Sequence, residues 1–190
     1  METLRLFVAV PLAESVQRHL VGYIKGLPPV RGVKWVTPTQ FHITLRFLGD
    51  TPVGDIPALT AALQEAAATA SPFPLVIGGL GVFPSQLKPR VFWVGVTVGA
   101  EPLELLYRQV NNALQKAGCP SVQGRFSPHI TIGRVRERFP LAAHGEWFAA
   151  APQCQPVADN VNHIVLFRSV LAGWGPVYTS LAEFSLSGGK

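Results

Sequence analysis

The tripeptide pattern His-x-Thr occurs twice in this chain of 190 residues, as His42-Ile43-Thr44 and as His129-Ile130-Thr131. Each copy lies in a stretch where apolar and polar residues alternate, which is typical of a half-buried β-strand. Residues two apart on a strand point to the same face, so each copy presents an imidazole beside a hydroxyl. Two such strands facing each other would bring two imidazoles and two hydroxyls to one cleft. Such a set of groups suits acid–base chemistry on a phosphate.

The residues around the first copy support its assignment to a strand. Simple alternation places Ile43, Leu45 and Phe47 together on the face opposite His42. Short motifs also occur by chance, and the other three histidines of the chain have no threonine two residues later. The evidence for a functional motif is therefore that it is repeated in the same strand context.

The composition predicts a folded chain with a sizeable core. Hydrophobic residues make up 48% of the sequence and mean hydropathy is +0.28, which excludes intrinsic disorder. Charged residues make up only 14%, yet the net charge is +5. This basic excess fits an anionic partner. A high isoelectric point without any functional meaning accounts for it almost as well.

Cysteine usage and the apolar segments indicate where the protein acts. Cys119 and Cys154 have neither the spacing of metal ligands nor that of a disulfide framework, which favours a reducing compartment. The N-terminus has the pattern of a strand and not of a signal peptide, and the apolar run 73–83 is too short to span a membrane. We therefore expect a cytoplasmic monomer without membrane contact, and neither a metal nor an organic cofactor.

The two histidines lie 87 residues apart, and similar elements surround both. Before and after the first motif, periodicity predicts a strand over 4–10, a helix over 11–25, a helix over 55–70 and a strand over 73–77. Around the second motif it predicts a strand over 91–98, helices over 101–116 and 141–150, and strands over 161–167 and 177–184. At this offset Phe7 is equated with Val94, since each precedes its histidine by 35 residues.

The repeat predicts an α+β fold with an internal duplication. We expect residues 1–190 to form one domain of two pseudo-symmetric lobes, with two antiparallel sheets flanked by helices around a central active-site groove. Many α+β proteins alternate strands and helices, but here the polar motif itself recurs.

The sequence resembles the two-histidine phosphoesterase superfamily, and within it the RNA 2′,3′-cyclic phosphodiesterases, also called 2′-5′ RNA ligases. The resemblance covers nearly the whole chain. It is carried by residues 5–10, 33–36, 41–49, 79–84, 89–96, 126–134 and 166–169, which include both motifs.

The resemblance implies a bilobal fold and hydrolysis of a terminal RNA 2′,3′-cyclic phosphate to a 2′-phosphomonoester without a metal. It also implies that His42 is the proton donor and His129 the proton acceptor. Thr44 and Thr131 would hold phosphate oxygens, and Arg134 would bind phosphate. Some relatives join or cleave 2′-5′ linkages, so tRNA fragments and 2′-5′-linked oligonucleotides are further candidate substrates.

The chemistry itself does not determine which histidine donates the proton and which accepts it. Opening a cyclic phosphodiester with water requires one proton to leave the nucleophile and another to reach the departing ribose oxygen. Histidine, with an ordinary pKa near 6.5, performs either task close to neutral pH. An exchange of the two roles is equally sound on these grounds.

Four further residues are weaker candidates for contacting substrate. Arg134 lies five residues after His129, so strict alternation places it on the opposite face unless Gly133 permits a bulge or the long side chain curls around the end of the strand. Arg46 lies four residues after His42, so alternation places both side chains on the same face. It is either a phosphate neighbour or an ordinary strand residue. Arg90 could follow the RNA backbone or be a surface arginine, and Phe41 could stack on a base, although packing in the core is more common.

Two other classes of protein compete with the phosphoesterase. A metallohydrolase needs further ligands at metal spacing, and no such cluster accompanies either motif. A non-catalytic RNA- or nucleotide-binding domain on the same fold is the stronger competitor. It would be expected to have lost a motif residue, whereas this chain keeps both histidines and both threonines.

Overall fold

The computed structural model describes residues 2–136, 141–173 and 175–188, with the backbone only at 141–144. The helices in this part of the chain are α1 (Glu14–Lys25), α2 (Ile56–Thr69), α3 (Ala100–Lys116) and α4 (Leu141–Ala150). The strands are β1 (Thr3–Pro11), β2 (Val33–Trp35), β3 (His42–Pro52), β4 (Phe73–Phe83), β5 (Val91–Val98), β6 (His129–Val135), β7 (Val157–Val161), β8 (His163–Ala172) and β9 (Gly175–Ser185). The predicted α+β class is confirmed.

The strands form an antiparallel sheet in the order β7-β4-β5-β6-β3-β1-β8-β9, with β2 added beside β6. We call β3, β1, β8 and β9 the first half-sheet, and β6, β5, β4 and β7 the second. The two half-sheets mirror each other in strand order and correspond to the two expected sheets. They are joined where Ile43 of β3 pairs with Ile130 of β6, so the sheet is continuous.

Strand register corrects the expected equivalence within the repeat. Ile43 and Ile130 are equivalent, and their partners on the neighbouring strands are Val10 and Val94. Val94 therefore corresponds to Val10, and the prediction that it corresponds to Phe7 is wrong by three residues. The reason is a connection between the first strand and the motif that is longer in the second half.

Each half of the chain contributes a strand to the half-sheet of the other. The strand after the first motif and α2 is β4, which pairs with β5 and β7. After the second motif and α4, β7 stays in the second half-sheet, and the strand that follows it, β8, pairs with β1 and β9. The predicted single strand over 161–167 is thus two strands, because the chain passes from one half-sheet to the other at Asn162.

Helices cover one face of the sheet and bury its apolar side chains. On α3 the residues Leu103, Leu106, Val110 and Leu114 recur at helical spacing and are at most 1% exposed. Burying each of these side chains contributes about 1.5–3 kcal/mol. They pack in one core with the apolar sides of β3 and β6, so the opposite face of these strands is left for the polar residues of the motifs.

Candidate active site

The pairing of β3 with β6 brings the two His-x-Thr motifs together. Ile43 and Ile130 are fully buried and directly opposite each other. Because the strands are antiparallel, the same register sets His42 beside Thr131 and Thr44 beside His129, all on the face away from the core. Opposite residues in such pairs have Cβ atoms about 5 Å apart and diagonal neighbours about 7–8 Å apart. The two imidazoles are therefore diagonal neighbours across the junction of the half-sheets.

Both imidazoles are held by the same backbone contact. Nδ1 of His42 lies 2.7 Å from the Gln40 carbonyl oxygen, and Nδ1 of His129 lies 2.8 Å from the Ser127 carbonyl oxygen. A carbonyl oxygen only accepts hydrogen bonds, so each Nδ1 must carry a hydrogen and donate it. Nε2 is then the nitrogen of each ring that can gain or lose a proton.

His42 lies in a group of aromatic rings. The ring centroids of Phe7, Tyr178 and Phe167 are 4.9, 5.4 and 6.4 Å from that of His42. Burial lowers the pKa of His42 to about 4, and the positive charges of Arg134 and His129 act in the same direction, against the raising effect of the Gln40 carbonyl. The ring is therefore neutral at pH 7 when no anion is bound. Consistent with this, its Nε2 lies 3.1 Å from the Thr44 hydroxyl, which donates to a neutral ring.

His129 has an aromatic neighbourhood of its own. The Phe83 ring lies edge-on with centroids 4.9 Å apart, and the Trp93 centroid is 6.4 Å away. Both neighbours come from β4 and β5 of the second half-sheet. Each histidine is thus fixed in orientation by rings from its own half-sheet.

Two cavities open beside the motif pair, and each is lined from both half-sheets. The His42 cavity contains His42 and Thr131, and it also includes Gln40, Arg134 and Tyr178 among its lining residues. The His129 cavity contains Thr44 and His129, together with Tyr107 and the loop of residues 122–127. Because each cavity holds one histidine and the threonine of the other motif, a phosphate at the junction would be within reach of all four side chains.

A bulge in β6 explains how Arg134 reaches the His42 cavity. Thr131 pairs with Trp93 and Gly133 pairs with Phe92, so Ile132 is an extra residue in the ladder. Ile132 and Gly133 are both buried as a result, and the next residue, Arg134, returns to the cleft face. Of the two explanations for the position of Arg134, the strand pairing shows the bulge. A Cβ at Gly133 would lie 2.7 Å from the Trp35 ring, so this position needs glycine.

A bulge at the equivalent place in β3 brings the Arg46 side chain into contact with α3. Val8 pairs with Arg46 and Ala9 with Thr44, so Leu45 is the extra residue and simple alternation fails beyond it. The Arg46 guanidinium instead lies 3.2 Å from the Asn111 side-chain oxygen on α3 and 2.5 Å from the Pro120 carbonyl. Arg46 nevertheless lines the His129 cavity, so its contact with substrate stays a prediction. Phe47, expected in the core, is 53% exposed because of the same bulge.

The two remaining candidates do not line either cavity. Phe41 is 4% exposed and packs in the core, so the prediction that it stacks on a base is wrong. Arg90 is exposed in the loop before β5, where its backbone bonds Phe83 and Val135. Its side chain could meet substrate only outside the cavity.

Sequence reasoning missed several residues of the His42 cavity. Lys34 belongs to the short strand β2, whose three residues carry too little periodicity to be recognised. Tyr178 comes from β9, and the hydrogen bond from the Gln40 side chain to the Pro176 carbonyl holds the start of that strand beside the cavity. Gln40 and Pro176 are 136 residues apart, and no local pattern indicates a contact over such a distance in sequence.

Neither a membrane-spanning helix nor a metal-binding cluster is found among the described residues. No helix in these ranges is both long and apolar enough to cross a membrane. Within the same residues, no three side chains of His, Cys, Asp or Glu lie together in a way that could hold a metal ion.

The fold and the paired motifs define a two-histidine phosphoesterase site, and comparison with known proteins agrees. The model of the LigT-like phosphoesterase family matches residues 10–93 and again 94–178. The two matches begin 84 residues apart, which is the offset between Val10 and Val94 in the structure. The chain belongs to the LigT-like phosphoesterase family.

Relatives and solved structures resemble the chain over nearly its full length. It is 34% identical to an RNA 2′,3′-cyclic phosphodiesterase of Aquifex aeolicus, over 99% of this chain and 100% of that protein. It is also 34% identical to one of Archaeoglobus fulgidus, over 95% and 99%. The crystal structure of TT0787 of Thermus thermophilus superposes with a TM-score of 0.84 at 32% identity, covering 97% and 99% of the two chains. E. coli LigT in apo form shares the fold, with a TM-score of 0.79 at 23% identity over 98% and 99%.

Proposed function

We propose that this protein hydrolyses the 2′,3′-cyclic phosphate at an RNA end to a 2′-phosphomonoester, with His42 and His129 as acid and base and without a metal. The observation that carries this proposal is the register of β3 and β6, which groups two imidazoles and two hydroxyls around one junction. The names of the full-length relatives support the substrate class. In this account residues 1–190 act as one domain of two pseudo-symmetric lobes.

In the first step of the proposed reaction, the cyclic phosphate binds at the junction of the half-sheets. Its negative charge offsets the effects that lower the pKa of His42, so Nε2 of His42 takes up a proton. The Thr44 and Thr131 hydroxyls donate to the non-bridging phosphate oxygens, and Arg134 pairs with their charge.

In the chemical step, water attacks phosphorus while Nε2 of His129 accepts its proton. The bond from phosphorus to the ribose 3′ oxygen breaks, and Nε2 of His42 gives its proton to that oxygen. One water is consumed and a 2′-phosphomonoester is released. Each positioned imidazole is expected to contribute about 10²- to 10⁴-fold to the rate.

The test is incubation of the protein with an RNA oligonucleotide ending in a 2′,3′-cyclic phosphate, with and without EDTA. Phosphorus NMR of the product should show a 2′-phosphomonoester at the same rate in both samples. A 3′-phosphomonoester would reverse the choice of leaving group, and loss of turnover with EDTA would contradict the metal-free mechanism. RNA binding without turnover would favour the non-catalytic alternative.

A further inference from the structure

The His42 cavity carries more positive charge than one cyclic phosphate requires. Its lining residues include Lys34, Arg134 and Arg136, and none of those described is acidic. A cyclic phosphodiester carries a single negative charge, which Arg134 and a protonated His42 already balance. Lys34 and Arg136 add two further positive charges to the described lining of the same cavity.

The backbone places these cations in spite of their mutual repulsion. Lys34 of β2 lies directly opposite Arg134 of β6, an arrangement of like charges that destabilises an antiparallel pair. Arg136 is held at the end of β6 by a 2.7 Å hydrogen bond from its backbone N–H to the Gly32 carbonyl. All three side chains are exposed, so their grouping does not come from packing in the core. An anion with more than one charge would compensate for the repulsion.

We propose that Lys34 and Arg136 bind the next phosphate of the RNA strand, on the 5′ side of the cyclic end. This inference rests on the proposed function and adds a preference for oligonucleotides over a mononucleoside cyclic phosphate. Two residues of extended strand separate Arg134 from Arg136, which is roughly 7 Å along β6. That step is comparable with the spacing of successive phosphates in an extended single strand.

The experiment compares a mononucleoside 2′,3′-cyclic phosphate with di- and trinucleotides that end in the same group. Wild-type protein should show a higher kcat/KM as soon as a second phosphate is present. Lys34→Gln and Arg136→Gln should raise KM for the longer substrates by a larger factor than KM for the mononucleoside. Each should also reduce the slope of log(1/KM) against log[salt] by about 0.7, the effect of one phosphate contact on a single strand. Arg18→Gln is the matched control, because Arg18 lines neither cavity and pairs with Glu14 on α1.

Three results would overturn the inference. Equal kcat/KM for the mononucleoside and the dinucleotide would show that no second phosphate is bound. Equal losses on both substrates would place Lys34 and Arg136 at the terminal phosphate. Losses no larger than those of Arg18→Gln would show that Lys34 and Arg136 contribute only through the overall positive charge of the protein.

A binding measurement separates this inference from the proposed function. Fluorescence anisotropy with a labelled trinucleotide ending in a 3′-phosphate requires no turnover. If wild-type protein opens no cyclic phosphate, the proposed function fails. The inference stands only if Lys34→Gln and Arg136→Gln still weaken this binding relative to wild type, and it fails if they do not.

Discussion

At the scale of single residues, the hydrogen bonds of the two histidines determine which nitrogen of each ring can gain or lose a proton. The acceptors for Nδ1 are backbone carbonyls of Gln40 and Ser127, each two residues before its histidine. Gln40 ends the short 3₁₀ turn Pro38–Gln40, so its carbonyl is fixed before β3 begins. The tautomer is thus set by main-chain atoms that no side-chain substitution removes.

The pKa of His42 leads to a prediction about proton uptake. Burial lowers this pKa to about 4, so the free protein at pH 6.5 has a neutral ring. A bound phosphodiester anion favours the charged ring and raises its pKa, so binding should take up as much as one proton. By the same linkage, the affinity for the anion should increase as the pH falls from 7 towards 4.

Calorimetry provides the measurement. A 2′-deoxynucleoside 3′-methylphosphate is not opened by this reaction, and its phosphate does not titrate in the range used. Binding enthalpies at pH 6.5 in two buffers of different ionisation enthalpy should reveal proton uptake in wild type and not in His42→Gln. Proton release, or the same uptake in both proteins, would be evidence against the assignment.

The motif threonines should act mainly in the transition state. Thr44→Val and Thr131→Val keep the shape of the side chain and remove the hydroxyl, so each should lower kcat by about 10²- to 10³-fold with a smaller change in KM. Steady-state kinetics on a cyclic-phosphate RNA measure this, and Thr44→Ser should restore most of the rate. Activity of the valine variants at the wild-type level would remove the threonines from the mechanism.

At the scale of elements, the two bulges decide which side chains reach the cleft. The bulge at Ile132 brings Arg134 to the His42 cavity, whereas the equivalent bulge at Leu45 sends Arg46 to α3. The same local device therefore gives the two half-sheets different side chains at equivalent places. This asymmetry leaves Arg134 on the cleft face of β6 and the exposed Phe47 on β3.

Gly133→Ala should disturb the bulge in β6. A Cβ there would lie 2.7 and 2.8 Å from carbons of the Trp35 ring and 3.0 Å from a Val33 methyl group. The forced shift should cost about 1–3 kcal/mol of unfolding free energy and displace Arg134, which raises KM. Chemical denaturation and kinetics measure both effects.

Gly54→Ala is the matched control for this substitution. A Cβ at Gly54 meets no atom within 4 Å, so stability should change by less than about 0.5 kcal/mol. Equal stability of the Gly133 and Gly54 variants would contradict the packing argument.

The helices and strands also show how much of the structure could be predicted from the sequence. Helical periodicity placed α2 and α3 to within one residue at each end, because their buried stripes are regular. The four motif residues could be found because they recur in the same strand context. The direction of Arg46 could not, since a bulge depends on the partner strand and leaves no mark in local alternation. Lys34 and Tyr178 were missed because they reach the cavity only through long-range pairing.

At the scale of the whole molecule, the exchange of β4 and β8 joins the two half-sheets. The first half-sheet needs β8 and β9 from the C-terminal end, and the second needs β4 from the N-terminal half. Neither half of the chain therefore holds all the strands of one half-sheet. The position of the two histidines depends on this shared construction.

A split of the chain tests the exchange. A fragment of residues 1–88 lacks β8, which pairs with β1, and β9, which pairs with β8, so it should be unfolded by circular dichroism and show no cooperative unfolding. Mixing it with residues 89–190 should restore a one-to-one folded complex. Cooperative unfolding of the isolated 1–88 fragment would contradict the account, and the intact chain is the control.

The most direct test of the central claim is a double-mutant cycle on His42 and His129. The two imidazoles are proposed to act on one phosphorus centre in a single step, so their effects on kcat should not multiply. His42→Ala, His129→Ala and the double variant should each lose about 10²- to 10⁴-fold against a cyclic-phosphate RNA, with the double variant no slower than the slower single one. Wild-type turnover in either single variant, or losses that multiply in the double variant, would show that the histidines do not form one catalytic pair.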